Sequence, residues 1–217
     1  MRGIPKFLLP MSSDTTLIEF HIRSALQAGY DQIYVTSQAL YVPILKKQLI
    51  GASERIEIIS LSSATSTMCE TLLESNIDTA QFSRITVGLA DTAYLGPDAG
   101  RVYRNLAASD ESVNLALFKM RTDQMGKLGQ VALDFSGKVT HIIDKDPNCA
   151  YPWIWGVADF KSDLFSNIDK SEAHIGISIE RWMSEGITVA GVANDAQYYD
   201  CGTFNEYASY IQSIANA

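Results

Sequence analysis

Apolar positions recur at helical spacing through Leu17-Ile-Glu-Phe-His-Ile-Arg-Ser-Ala-Leu-Gln-Ala28, after the polar stretch Ser12–Thr16 and before Gly29. That spacing and stop predict a helix. Gln32-Ile-Tyr-Val-Thr36, Ile56-Glu-Ile-Ile59 and Ile85-Thr-Val-Gly-Leu89 are short, apolar and β-branched, which predicts strands. Helices are expected between them, over Val42–Leu49 before Gly51 and after the capping box Thr67-x-x-Glu70. Short apolar strands separated by amphipathic helices imply a parallel sheet covered on both faces.

The pattern then changes. Asn114–Met120, Gly129–Asp134, Lys138–Ile143 and Trp153–Phe160 read as strands, with Phe135-Ser-Gly-Lys138 as a hairpin turn. A helix over Ile175–Glu185 stops at Gly186, a strand follows over Ile187–Ala193, and Thr203-x-x-Glu206 caps a last helix reaching Ala215. No linker or repeat divides the chain. The expectation is one α/β domain over residues 1–217, a mixed, mainly parallel sheet with helices on both faces and inserted antiparallel strands.

Composition narrows the function. With 47% hydrophobic and 19% charged residues, the chain belongs among folded globular proteins. Its net charge of −8, from 17 basic and 25 acidic residues, argues against gripping nucleic acid or an anionic membrane. A small phosphorylated substrate stays open, because a pocket needs only a few local cations or a metal ion. No apolar run is long enough for a membrane-spanning helix. Residues 1–10 make a poor signal peptide. The three distant cysteines, Cys69, Cys149 and Cys201, form neither a disulfide framework nor a zinc cluster, so a cytoplasmic location is the default.

In open α/β sheets, ligands bind beyond the carboxyl ends of strands. Asp91 follows the predicted strand in Gly88-Leu-Ala-Asp-Thr92, where a carboxylate can ligate magnesium or simply cap the next segment. Asp200, in Tyr198-Tyr-Asp-Cys-Gly-Thr203, precedes a helix, where an acid is also favoured electrostatically. Sequence distance alone does not bring these two together. Lys145 follows the second hairpin strand between two acids; it reads as a solvated lysine or as a phosphate contact. His21, His141 and His174 share no ligand spacing and read as structural.

Pro5-Lys-Phe-Leu-Leu-Pro-Met11, Leu17-Ile-Glu, Ala25-x-x-Ala-Gly-Tyr-Asp-Gln-Ile-Tyr-Val35, Gly88-Leu-Ala-Asp-Thr92, Gly129-Gln-Val-Ala-Leu-Asp134, Asp144-Lys145, Trp155-Gly156 and Tyr199-Asp-Cys-Gly-Thr203 occur in one order. As an ordered set they resemble the sugar-1-phosphate nucleotidyltransferases, and the glucose-1-phosphate thymidylyltransferase type most. The resemblance implies a Rossmann-like, GT-A-like fold and transfer of a nucleoside monophosphate from a triphosphate, dTTP or UTP, to a sugar 1-phosphate, releasing pyrophosphate. It implies that Asp91 and Asp200 hold Mg2+, that Lys6 contacts phosphate and that Lys145 holds the sugar phosphate. By the same resemblance, Asp144 and Gly156 line the sugar pocket, and Thr65, Ser66 and Thr67 fall near the nucleoside. The implied partners are these two substrates, with no nucleic acid or membrane; a homo-oligomer stays open.

Three departures accompany it. The family's Glu-Lys-Pro is Asp144-Lys145-Asp146 here, which leaves the sugar open, and Ser63-Ala-Thr-Ser-Thr67 replaces its nucleoside contact, which leaves the base open. The family also carries a first strand and a G-x-G-T-R-L loop ahead of the Pro-Lys motif. The resemblance therefore implies an internal Met1 preceded by about 15–20 further residues. A weakly catalytic nucleotide sensor and a GT-A-type glycosyltransferase are the alternatives.

Overall fold

A computed structural model describes residues 4–216; the expectation about Met1 lies outside them. The elements run α1 (Leu17–Ala28), β1 (Ile33–Gln38), α2 (Val42–Gln48), β2 (Ile56–Leu61), α3 (Met68–Glu74), β3 (Arg84–Gly88), β4 (Thr92–Leu95) and α4 (Val102–Ala107). They continue through β5 (Val113–Lys119), β6 (Gly129–Leu133), β7 (Val139–Asp144), β8 (Trp153–Lys161), α5 (Ile175–Ser184), β9 (Val189–Ala193), β10 (Gln197–Asp200) and α6 (Phe204–Ala215). Every helix and strand expected from the pattern is present, with ends shifted by a few residues.

The largest sheet has the order β7-β6-β8-β5-β9, with β3 also paired to β8. β8 is antiparallel to β3, β5 and β6, β7 is antiparallel to β6, and β5 is parallel to β9. Hence β3, β5, β6 and β9 share one direction, and the inserted β7 and β8 oppose it. Among the described residues β1 pairs only with β2, in parallel, and β4 pairs with β10, antiparallel. The sequence pattern missed α4, β4 and β10.

Two apolar layers explain the double-sided burial. β5 is buried on both faces: Leu115 and Leu117 join Ile179 and Trp182 of α5 and Cys69 of α3. Ala116 and Phe118, on the other face, meet Ala25 of α1 and Val102, Tyr103 and Leu106 of α4. Alternation by two along one strand thus builds both cores.

The helix signals act as expected. Gly29 closes α1 at φ 92° and Gly186 follows α5 at φ 90°, the left-handed geometry that favours glycine. Thr67 and Thr203 accept hydrogen bonds from the Glu70 and Glu206 amides. Neither glutamate returns a bond to its cap amide: Glu70 accepts from the Ser66 amide and Glu206 turns its carboxylate to Arg121, so both segments are caps without the reciprocal bond. No helix among the described residues is long and apolar enough to cross a membrane.

Candidate active site

The β4–β10 ladder places Asp200 opposite Thr92, so Asp91, one residue earlier, reaches the same end of that ladder. Gly202 marks the meeting point. A Cβ there would stand 2.7 Å from Asp200 Oδ1, 3.3 Å from Asp91 Oδ2 and 3.4 Å from Lys6 Nζ. The two carboxylate oxygens are therefore within about 6 Å of each other, a gap that a hydrated magnesium ion with ~2.1 Å bonds spans. Glycine keeps that space open. Lys6 Nζ lies 4.0 Å from Asp91 Oδ2, and the Gly202 amide donates to Asp200 Oδ1 at 3.0 Å.

Burial, and secondarily the Asp200 charge, raise the Asp91 carboxyl above the usual carboxylate range, against a smaller opposing pull from Lys6. Burial beside both acids pushes the Cys201 thiol up to about 12. Cys201 is thus an inert packing residue. The site concentrates negative charge that, among the described residues, Lys6 offsets.

A cleft of about 540 Å³ adjoins Asp200, lined also by Asp123, Lys127, Leu128, Thr203 and Glu206. Arg121 borders it, bridging Asp123 and Glu206 and lying 4.3 Å over the Tyr199 ring. Nothing in the spacing of Arg121 marked it in the sequence, because its partners come from three separate segments. Lys145 is exposed and has φ 52°. Its amide donates to the Leu128 carbonyl, which ties it to the rim of the cleft. A left-handed lysine costs roughly 1–3 kcal/mol, and such outliers concentrate at functional sites.

Asp144 Oδ2 lies 3.1 Å from His174 Nε2, without hydrogen-bond alignment. Thr65, Ser66 and Thr67 sit at the start of α3, beside Ala173, whose carbonyl accepts from the Met68 amide. Their hydroxyls are engaged locally: Thr65 with Thr71, Ser66 with Glu70, and Thr67 with the Glu70 amide. Gly156 is buried, and the rings of Tyr198 and Phe118 fill the space its Cβ would take. The structure thus gathers Lys6, Asp91 and Asp200, ties Lys145 to the same cleft, and sets Asp144 and residues 65–67 around the Ala173–His174 segment.

No protein-family model matches the sequence, and comparison with curated proteins gives no match. Solved structures do match. A UDP-glucose pyrophosphorylase complexed with UDP-glucose aligns with TM-score 0.79 and 15% identity, over 98% of this chain and 91% of that one. A protein from Bacillus anthracis, assigned as a glucose-1-phosphate thymidylyltransferase and in complex with sucrose, aligns with TM-score 0.77 and 15% identity, over 94% and 84%. An apo UDP-glucose pyrophosphorylase gives TM-score 0.77 and 14% identity, over 98% and 91%. The chain has the fold of the sugar-1-phosphate nucleotidyltransferases.

Proposed function

We propose that the chain transfers a nucleoside monophosphate from a nucleoside triphosphate, dTTP or UTP, to a sugar 1-phosphate. The observation that carries the reading is the convergence of Lys6, Asp91 and Asp200 around Gly202. The residues suit magnesium: the carboxylates of Asp91 and Asp200 repel each other, and burial adds to the cost of charge on Asp91. Magnesium is commonly held that way, by one or two carboxylates, with waters and substrate phosphates completing the shell. Asp91 and Asp200 would hold it, and when bound it would neutralise charge on the phosphate oxygens.

The chain's own groups bind and orient. A sugar 1-phosphate oxygen attacks the α-phosphorus, and the bond to pyrophosphate breaks with its electron pair leaving on oxygen. Such in-line displacement depends on positioning and fixed positive charge rather than a covalent nucleophile. Lys6 would face the triphosphate, and Lys145 the sugar phosphate from the cleft rim. Asp144, with His174 beside it, would face sugar hydroxyls, and residues 65–67 would meet the nucleoside through their backbone.

The test is pyrophosphate release with Mg2+, each nucleoside triphosphate and a panel of sugar 1-phosphates. Release that requires both substrates, highest with dTTP or UTP, is expected. Release of free nucleoside diphosphate from a nucleotide sugar instead would overturn the reading in favour of a glycosyltransferase.

A further inference from the structure

His21 lies in α1, 6% exposed, beneath the segment that carries Asp91. Its Nε2 is 2.9 Å from the Thr92 carbonyl, and its Nδ1 is 2.9 Å from the Tyr103 hydroxyl. A carbonyl oxygen can only accept, so Nε2 must carry the proton. Nδ1 then offers its lone pair, and Tyr103 must donate. One neutral imidazole therefore joins α1, α4 and β4 in a single tautomer.

The bonded carbonyl belongs to the residue after Asp91. On its other side the Asp91 turn is closed by Leu89, whose carbonyl accepts from the Thr92 amide at 3.3 Å and the Thr92 hydroxyl at 2.8 Å. Tyr103 also braces the start of that turn, because its hydroxyl fills the space a Cβ on Gly88 would take. The backbone from Gly88 to Thr92 is held at both ends by the same buried pair. Among the described residues the Asp91 carboxylate is engaged by Lys6 at 4.0 Å and by its own backbone, so its direction is set by its backbone.

We propose that His21, fixed by Tyr103, is a positioning residue that aims the Asp91 carboxylate toward Asp200 through the Thr92 carbonyl. The proposal rests on the reading of Asp91 and Asp200 as the carboxylates of the phosphate site. Groups that orient metal-holding residues typically cost 10–100-fold in metal affinity or activity when removed.

The test measures Mn2+ binding by electron paramagnetic resonance alongside steady-state kinetics. His21→Leu is expected to weaken Mn2+ binding about 10-fold and to lower kcat about 10–100-fold with the sugar 1-phosphate KM unchanged. His21→Gln, whose amide N–H can reach the Thr92 carbonyl, should recover most of both, which a purely packing role would not produce. Tyr103→Phe leaves the Thr92 carbonyl holding the proton on Nε2, so imidazole 15N shifts should keep that tautomer while Nδ1 takes the shift of a lone pair without a donor. His21→Leu that binds Mn2+ like the parent, while Asp91→Asn does not bind, overturns the positioning role and leaves the site standing. Equal Mn2+ binding by Asp91→Asn and the parent overturns the reading of the site itself. A metal-free arm decides the positioning in that event: the Thr92 amide should exchange faster in His21→Leu or, if that variant does not fold, in Tyr103→Phe, with β5 amides unaffected. An unchanged Thr92 exchange rate also overturns the proposal.

Discussion

Asp91 is held where its charge is costly. Its folded carboxyl titrates above the unfolded value, so the folded state binds the proton more tightly and metal-free stability falls as pH rises through that window. Asp91→Asn should therefore raise the metal-free melting temperature at neutral pH while lowering turnover at least ~100-fold; a calorimetric scan without Mg2+ checks the first half and steady-state kinetics with Mg2+ the second. Lys145 offers a matching contrast. Lys145→Ala should reduce kcat/KM about 10- to 150-fold through loss of a charge-assisted phosphate contact. Lys145→Gly should be equally inactive yet more stable than the alanine variant by about 1 kcal/mol, because only glycine adopts φ 52° without cost. Equal stabilities would remove backbone strain from the account.

The long periodic elements were legible in the sequence, because α1, α5 and β5 each have enough residues to express a period. The strand pair that assembles the site was not. β4 and β10 have four residues each, too few for a pattern, and their pairing depends on segments far apart in the chain. From position alone Asp91 and Asp200 were therefore readable as candidates but not as neighbours; the family resemblance is what paired them, and Gly202, which admits both, carries no signal of its own. Gly156 shows how one element sets another. With Tyr198 2.6 Å and Phe118 2.9 Å from its missing Cβ, Gly156→Ala should cost about 1–3 kcal/mol by overpacking. The same change should push β10 away from β8 and lower activity beyond the loss of stability, as kinetics well below the melting transition would show.

At the scale of the molecule, pH acts through a residue the sequence reading set aside as structural. Burial pushes His21 down to about 4, so between the ordinary 6.5 and that value the unfolded chain takes up a proton that the folded one refuses. Stability should therefore fall as pH drops from 6.5 toward 4, by roughly 3 kcal/mol at the bottom of that window. His21→Leu should flatten the dependence; a denaturation series across that range checks it. The fold class and the two-faced covering of the sheet were readable from strand and helix alternation. So were the inserted antiparallel strands; the place of β8, between β3 and β5, was not, because hydrophobic pattern carries no strand order.

Tyr34 of β1 packs edge-on against Phe82, just before β3, yet β1 hydrogen-bonds only to β2 and β3 only to β8. Each strand therefore leaves one row of amides and carbonyls without a ladder partner among the described residues. β1, Ile-Tyr-Val-Thr-Ser-Gln, is uncharged, free of proline and rich in residues that favour extended backbone, the composition of a strand that recruits another. Concentrated solutions of this chain should scatter more light than dilute ones, with growth of a cross-strand infrared band. Thr36→Lys, which sets a charge on that edge, should suppress both.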